Sequence, residues 1–443
     1  MAALSATING LSDAEHKRQL RRALVASTVG TTIEWYDFLL YGTVTGLVFG
    51  KLYFPESTPL IGVLQAFGVF FVGFVGRPIG AAIFGHYGDR IGRKATLIVT
   101  LLLTGIATFC VGLVPDYDSI GVWGAVLLTL IRLIQGIGVG GEWGGSVLLA
   151  MEWAQTNKHR GFIASWPQFG APAGLFLANS AVLFFSWYSG DQFLVWGWRI
   201  PFLLSIVMVG VGLWIRLGIQ ETPVFQKILD EERIERVPVL EVLKRQPKQV
   251  LLTALLRMPE QAPGYIVGAF IFTYGTTVLG QSRDFLLFAV IVQTVLGFLW
   301  VTVAGYLSDV VGRKNMFMLG CVIMGIFGFV YFAMLDTMNP TVIFIAIMIS
   351  LVPVMNLYGP EAALIAEAFS PRLRYSGASL GYQLASIIAG GPAPFIATAL
   401  YAAFHSSLPI AIYIAGCAVI GLVSTALLSD YTNKEISTEY ESV

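Results

Sequence analysis

Most of this sequence is apolar, so the few ionisable side chains set inside its apolar runs are the ones whose chemistry needs a reason. Glu34 and Asp37 stand three residues apart, which puts both carboxylates on one face of a helix, and Arg257 and Glu260 share that spacing. Arg132 sits in a third apolar run. A charged side chain in hydrocarbon costs about 2.5–3.5 kcal/mol on insertion scales, so such residues mark function by default. Carboxylates can take up and release protons, and guanidinium groups hold anions through paired hydrogen bonds. Desolvation favours the protonated form of a buried carboxylate and a nearby arginine favours the ionised form, so a ligand that arrives or leaves can move the proton. Gln135, Gln168 and Tyr41 add polar groups in the same kind of surroundings. The rival reading makes all of these charge pairs and hydrogen bonds that tie helices together.

The elements that position them must be membrane helices. Of 443 residues, 56% are hydrophobic and 12% charged, about half the charge of an ordinary soluble chain. A spanning helix takes about 20 apolar residues. Twelve apolar segments fall at 23–49, 60–84, 95–114, 122–149, 161–187, 199–218, 249–279, 285–304, 316–335, 341–366, 375–403 and 407–429. This composition excludes a water-soluble enzyme. The balance of 27 basic against 27 acidic residues leaves no basic footprint for a nucleic acid. Cys110, Cys321 and Cys417 lie in apolar runs without metal-ligand spacing, so neither a metal nor a disulfide framework is expected. The polar first 22 residues do not read as a removable signal peptide.

Two phrases repeat. Gly85-His-Tyr-Gly-Asp-Arg-Ile-Gly-Arg-Lys94 returns 220 residues later as Gly305-Tyr-Leu-Ser-Asp-Val-Val-Gly-Arg-Lys314, and Gly170-Ala-Pro-Ala173 returns as Gly390-Gly-Pro-Ala393. The register holds at separate places, so the chain reads as two homologous six-helix bundles, 23–218 and 249–429, joined by a polar linker at 219–248. Lysine and arginine collect in cytoplasmic loops. With the N-terminus inside, 21 of the 27 fall on that side and only Lys51 and Arg283 in outside loops. The tails 1–22 and 430–443 and the linker are then cytoplasmic. At 1.5 Å per residue, Glu34, Asp37, Arg132, Arg257 and Glu260 lie about 12–21 Å into their helices, near the middle of a core about 30 Å thick. Pro172 and Pro392 are expected to kink the fifth and eleventh helices. Trp196 and Trp198 read as interfacial belt residues.

The duplicated G-x-x-x-D-x-x-G-R-K loops resemble the signature loops of the major facilitator superfamily, and the resemblance covers the whole chain. Glu34-Trp-Tyr-Asp-Phe38, Gly76-Arg-Pro-Ile-Gly80, Arg132-Leu-Ile-Gln-Gly136, Gly140-Gly-Glu-Trp-Gly-Gly145 and Trp198-Arg-Ile-Pro-Phe202 narrow it to the metabolite:proton symporter group. The phrases around Gln192 to Phe202 and Val237 to Val242 look closest to its shikimate-transporter branch. The resemblance implies that helices 1, 4 and 7 line a central cavity. It also implies a cytoplasmic gate, with Asp89 and Asp309 near helix N-termini of the opposite half and the pairs Arg93–Glu152 and Arg313–Glu367. Arg77, Glu142 and Glu361 fall in the same cytoplasmic set of charges. Val310, where the first copy has Arg90, suggests a weaker latch in the second copy.

These readings give an all-α, multi-pass inner-membrane symporter, active as a monomer, that imports a small polar metabolite with protons. A carboxylate such as shikimate, a dicarboxylate or citrate is the expected substrate. Asp37, then Glu34, is the expected proton carrier, since His16, His86, His159 and His405 all fall in tails, loops or helix ends. Arg132, Arg257, Glu260, Gln135, Gln168 and Tyr41 are the expected substrate contacts. The partners are the substrate, protons and the bilayer, without a nucleic acid or other cofactor. A proline or betaine symporter and a passive channel remain alternatives. A membrane-embedded enzyme would need a nucleophile motif or metal-ligand spacing that the sequence does not show.

Overall fold

A computed structural model of the chain describes residues 13–91, 93–154, 159–218, 238–370 and 373–432, with side chains described except at 13–17, 88–91, 93, 149, 152–154 and 238. Every regular element among them is helical. Helix α1 (Asp13–Val44) runs through a π turn, Thr45–Phe49, into α2 (Gly50–Tyr53). Then come α3 (Pro59–Ile91), α4 (Arg93–Val111) and the single turn α5 (Tyr117–Ile120). The paired segments α6 (Trp123–Gly140) and α7 (Glu142–Ala154), α8 (Arg160–Gln168) and α9 (Gly170–Ser189), and α10 (Arg199–Leu203) and α11 (Ser205–Leu217) follow. Beyond 219–237, α12 (Pro238–Arg245) leads to α13 (Pro247–Leu256), α14 (Met258–Tyr265), a second π turn at Ile266–Phe270, and α15 (Ile271–Thr277). Next are α16 (Arg283–Val311), α17 (Arg313–Leu335), α18 (Pro340–Glu367) and α19 (Arg374–Ala385). A third π turn at Ser386–Gly390, α20 (Pro392–Phe404) and α21 (Leu408–Ala426) complete the chain.

Ten helical stretches among the described residues are long and apolar enough to cross a membrane. Trp187, Trp214, Leu299 and Ile326 are exposed, whereas Asp37, Arg132, Arg257, Arg313 and Glu361 are buried. That inverts the order of a water-soluble globule, and the chain is an all-α multi-pass membrane protein. The two expected segments outside those ten, 23–49 and 249–279, are the ones that carry the buried pairs Glu34 and Asp37, and Arg257 and Glu260. Both are interrupted by π turns, and these stand 221 residues apart.

Proline places the other interruptions. It has no N–H to donate and its ring crowds the carbonyl four residues back. Pro172 therefore disturbs Gln168, where α8 ends, and Pro392 disturbs Ile388, inside the third π turn. Gly312, in the second copy of the repeated loop, turns α16 into α17 with φ of 99°, a region open to glycine and strained for other residues. Trp198 departs from the expected interfacial position. It is fully buried, with its ring 5.4 Å from that of Phe49 and 5.9 Å from that of Phe202.

Helix α3 packs along α6, α1 along α9, and α16 along α18, while α16 also meets α8 and α9. Small residues permit the closest of these approaches. A Cβ added at Gly136 would overlap the Gly73 carbonyl, and one at Gly140 the Arg77 carbonyl, so α3 and α6 touch backbone to backbone. Gly136→Ala is therefore expected to cost about 1–3 kcal/mol through overpacking, read as a lower melting temperature in detergent. Gly68→Ala, where nothing lies within 4 Å of the new Cβ, is expected to leave it unchanged.

Candidate functional site

A cavity of about 50 Å³ lies where α1, α9, α14 and α18 meet. Its walls are largely apolar, including Leu39, Leu175, Leu351 and Met355, and its polar lining comes from Trp35, Glu260, Gln261, Tyr265 and Tyr358. Of the substrate contacts expected from sequence, Glu260 alone lines it. Arg257 stands behind Glu260. Its Nε meets Glu361 Oε1 at 2.6 Å, its Nη2 meets Glu260 Oε2 at 3.2 Å, and its Nη1 donates to the Tyr382 carbonyl at 2.6 Å. The Tyr382 ring lies between this guanidinium, 3.2 Å from the ring centre, and Trp143, stacked at 3.7 Å. All three nitrogens of Arg257 are thus occupied by the protein. The expectation that Arg257 grips an anion is corrected by Glu361, which lies 104 residues away in the chain.

Glu361 was expected in the gate, as was Glu142, and the structure moves both elsewhere. Glu142 pairs with Arg216, which also donates to the Leu97 carbonyl, so this charge pair ties α7 to α11. Gln168 bridges toward the cavity floor. Its Oε1 accepts from Trp143 Nε1 at 3.1 Å and its Nε2 donates to the Tyr358 carbonyl at 3.2 Å.

Around α1 the chemistry is different. Asp37 is fully buried, and neither carboxylate oxygen has a hydrogen-bond partner. The nearby donors are engaged. Gln135 Nε2 reaches the Thr108 hydroxyl at 2.7 Å and the Asp37 backbone carbonyl at 3.3 Å, while Thr108 donates to the Thr104 carbonyl at 2.9 Å. Arg132 is held by Gln135 Oε1 and lies over Phe38 at 3.8 Å and Tyr41 at 4.4 Å, with Nη2 unpartnered. Arg132, Gln135 and Tyr41 therefore form a buried group beside α1 and do not line the cavity. Glu34 is buried on the same helix.

Arg77, expected among the gate charges, lies in an aromatic cage instead. Its guanidinium is 3.9 Å from the Phe38 ring, 4.7 Å from Phe74 and 5.8 Å from Trp35, and Nη1 donates to Ser386 Oγ at 3.3 Å.

At the end that carries the repeated loops, Asp309 accepts from the backbone N–H groups of Gly161 and Phe162, both at 2.9 Å. That places a carboxylate on the N-terminus of α8, where the helix dipole favours it. Arg313 contacts Asp309 at 2.8 Å and Glu367 at 3.3 Å, and Arg160 contacts Glu367 at 2.9 Å. Asp89, Arg93 and Glu152, the other expected latch, lie outside the described side chains, so the relative strength of the two latches does too. At the opposite end, Thr273 Oγ1 donates to the Gly46 carbonyl at 3.4 Å and Ser186 Oγ to Asp284 Oδ1 at 2.5 Å. The cavity thus lies between two sets of contacts that join the first part of the chain to the second.

Sequence reasoning missed Arg160 and Arg216, which read there as orientation charges, and Gln261, Tyr265, Tyr358 and Tyr382. Pro259 and Pro263 were the available signal for the last group's surroundings, since they interrupt the helix on which Gln261 and Tyr265 stand.

Known proteins share this architecture. A family model described as "Sugar (and other) transporter" matches residues 22–250, and one described as "MFS/sugar transport protein" matches residues 145–428. The shikimate transporter of Escherichia coli (strain K12) is 41% identical over 414 residues, covering 92% of this chain and 94% of its own. The inner membrane metabolite transport protein YhjE of the same organism is 38% identical, covering 94% and 95%. A solved structure of the major facilitator superfamily proton:xylose symporter XylE superposes with a TM-score of 0.75 at 19% identity, over 95% of this chain and 98% of that one. That similarity carries the fold, while the sequence matches carry the membership: the chain belongs to the major facilitator superfamily and is a membrane transporter.

Proposed function

We propose that this transporter is a proton-coupled symporter that imports a small polar metabolite, a carboxylate, across the bacterial inner membrane by alternating access. Its twelve spans form two six-helix bundles, 23–218 and 249–429, with both tails and the linker cytoplasmic. The 220-residue repeat and the equally spaced π turns support that division. The relatives named as shikimate and metabolite transporters support the substrate class.

The observation that carries the symport reading is Asp37. A carboxylate buried without a donor is expensive as an anion, and Arg132, the neighbouring guanidinium, is held by Gln135 and a backbone carbonyl rather than by a carboxylate. Asp37 can thus alternate between a protonated form and an anion drawn toward Arg132, and the passage between them couples proton movement to the cavity. The Asp309, Arg313, Glu367 and Arg160 cluster serves as the cytoplasmic gate. It joins the two bundles at one end and must part for the inward-open state.

Three outcomes test this. Purified protein in liposomes is expected to accumulate labelled shikimate under an inward proton gradient, and accumulation that survives collapse of the gradient would refute symport. Asp37→Asn is expected to abolish gradient-driven accumulation while keeping exchange of labelled for unlabelled substrate, which needs no net proton transfer. A normal pH-gradient response in that variant would remove Asp37 from the coupling step. Asp309→Asn removes the charge at the α8 N-terminus, worth about 0.3–2 kcal/mol, and is expected to raise labelling of a cysteine placed at Gly161 from the cytoplasmic side.

A further inference from the structure

Three buried polar atoms beside the cavity have no hydrogen-bond partner: Arg77 Nε, Gln261 Oε1 and Tyr265 Oη. Buried polar groups are nearly always satisfied, so a cluster of exceptions needs a reason. These three converge on the third π turn. A Cβ built at Gly390 would stand 2.5 Å from Gln261 Oε1, 3.1 Å from the Tyr265 ring and 3.2 Å from the Phe74 ring. The Phe74 ring in turn lies 4.7 Å from the Arg77 guanidinium, whose hydrogen bond goes to Ser386 on the same π turn. Tyr265 and Trp35 are both cavity wall and neighbours of the Arg77 cage. One layer of rings therefore separates Arg77 from the cavity.

We infer that Arg77 is the residue that binds the substrate's carboxylate, and that the substrate is a monocarboxylate whose opposite end carries hydrogen-bond donors to Glu260 and Gln261. This rests on the transport reading above and deepens it. Arg77 has the vacancy that Arg257 lacks: no ion pair joins it to a carboxylate among the described residues, and its Nε and Nη2 make no protein hydrogen bond. Its aromatic cage shields the charge from hydrocarbon without occupying those donors. A guanidinium offers them as a planar fork that fits a carboxylate. The soft π turn at Ser386 lets the contact between the bundles loosen, so that the ring layer parts and Arg77 meets the cavity.

The other end of the cavity selects for donors. Two carboxyl groups, Glu260 and Glu361, share the single guanidinium of Arg257, and Gln261 turns its free carbonyl oxygen to the site. A second carboxylate on the substrate would face Glu260. A hydroxyl or an ammonium group would be accepted by the same oxygens. Hydroxy acids and amino acids both satisfy this chemistry, whereas dicarboxylates and citrate do not.

The test pairs a change in the protein with a change in the ligand. Ligand binding to wild type is measured by thermal shift with shikimate, shikimate methyl ester, proline, succinate and citrate. Shikimate or proline is expected to bind, deciding between hydroxyl and ammonium donors, and the methyl ester, succinate and citrate to bind about tenfold more weakly or worse. Arg77→Gln, checked for monodispersity, is expected to lose the preference for acid over ester, leaving the two within about threefold. A merely structural Arg77 would weaken both ligands together. Where Arg77→Gln does not fold, Arg77→Lys takes its place, with affinity for the acid expected to fall about tenfold and that for the ester unchanged. An acid preference that survives in a folded Arg77→Gln, or in Arg77→Lys where Gln does not fold, would overturn the inference, as would a wild type that prefers succinate or citrate. Gradient-driven uptake by wild type reports separately on the symport reading, so either can fail while the other stands.

Discussion

A charge inside the bilayer has no water to fall back on, so every ionised group in the spans must find its counter-charge, a dipole or an aromatic face within the protein. The rest of this structure follows from how that requirement is met, and it is met differently in the two halves. In the second half Arg257 is closed off by Glu260, Glu361 and the Tyr382 carbonyl. In the first half Arg77 and Arg132 lie against the same Phe38 ring, and neither has a carboxylate partner among the described residues. Aromatic faces offer each such cation about 2 kcal/mol when desolvated, less than a buried ion pair supplies but enough to hold a charge that exchanges partners.

This asymmetry grows out of a symmetric plan. Glu142 and Glu361 occupy corresponding places near the cytoplasmic ends of α6 with α7 and of α18, yet their arginines come from different helices, Arg216 at the end of α11 and Arg257 at the junction of α13 and α14. The first pairing locks helices at the periphery of its half and leaves α1 free to carry Asp37 without a donor. The second brings a cation to the cavity wall and neutralises it there. Duplication supplied the helices and their breaks; divergence in the placement of one arginine per half separated a site for a proton from a wall for a substrate.

The repeated loop, the spans and the proline breaks were legible in sequence because each depends on residues close together in the chain: a turn at Gly312, an apolar run, a proline and the carbonyl four residues before it. Glu34, Asp37, Arg132 and Glu260 were legible as buried charges for the same reason. Their partners were not. The contact between Arg257 and Glu361 spans 104 residues and that between Arg77 and Ser386 spans 309, and no local pattern distinguishes a paired arginine from a free one. Arg160 and Arg216 were misread because a charge at a helix end looks like an orientation signal until the neighbouring half supplies Glu367 or α7 supplies Glu142. Tyr41 and Trp198 show the converse error, since an aromatic residue near a polar one packs as readily against Phe49 and Phe202 as against a ligand.

The breaks and the charges are linked through the backbone. A helix that must flex in hydrocarbon cannot expose its peptide groups, so its bending is confined to places where a wider turn still satisfies them. The three π turns do this, and each stands beside a functional group: Thr45–Phe49 beyond Asp37 on the first span, Ile266–Phe270 next to Tyr265, and Ser386–Gly390 against Arg77. Rigid segments therefore carry the charges, and soft turns set how far apart they stand. At the other end of the same spans the Asp309 latch rests on two backbone N–H groups, a contact that breaks when α8 and α16 separate by a few ångströms. Opening that latch and parting the ring layer over Arg77 are then two consequences of one rotation between the bundles, with the Ser386 turn taking up the strain between them.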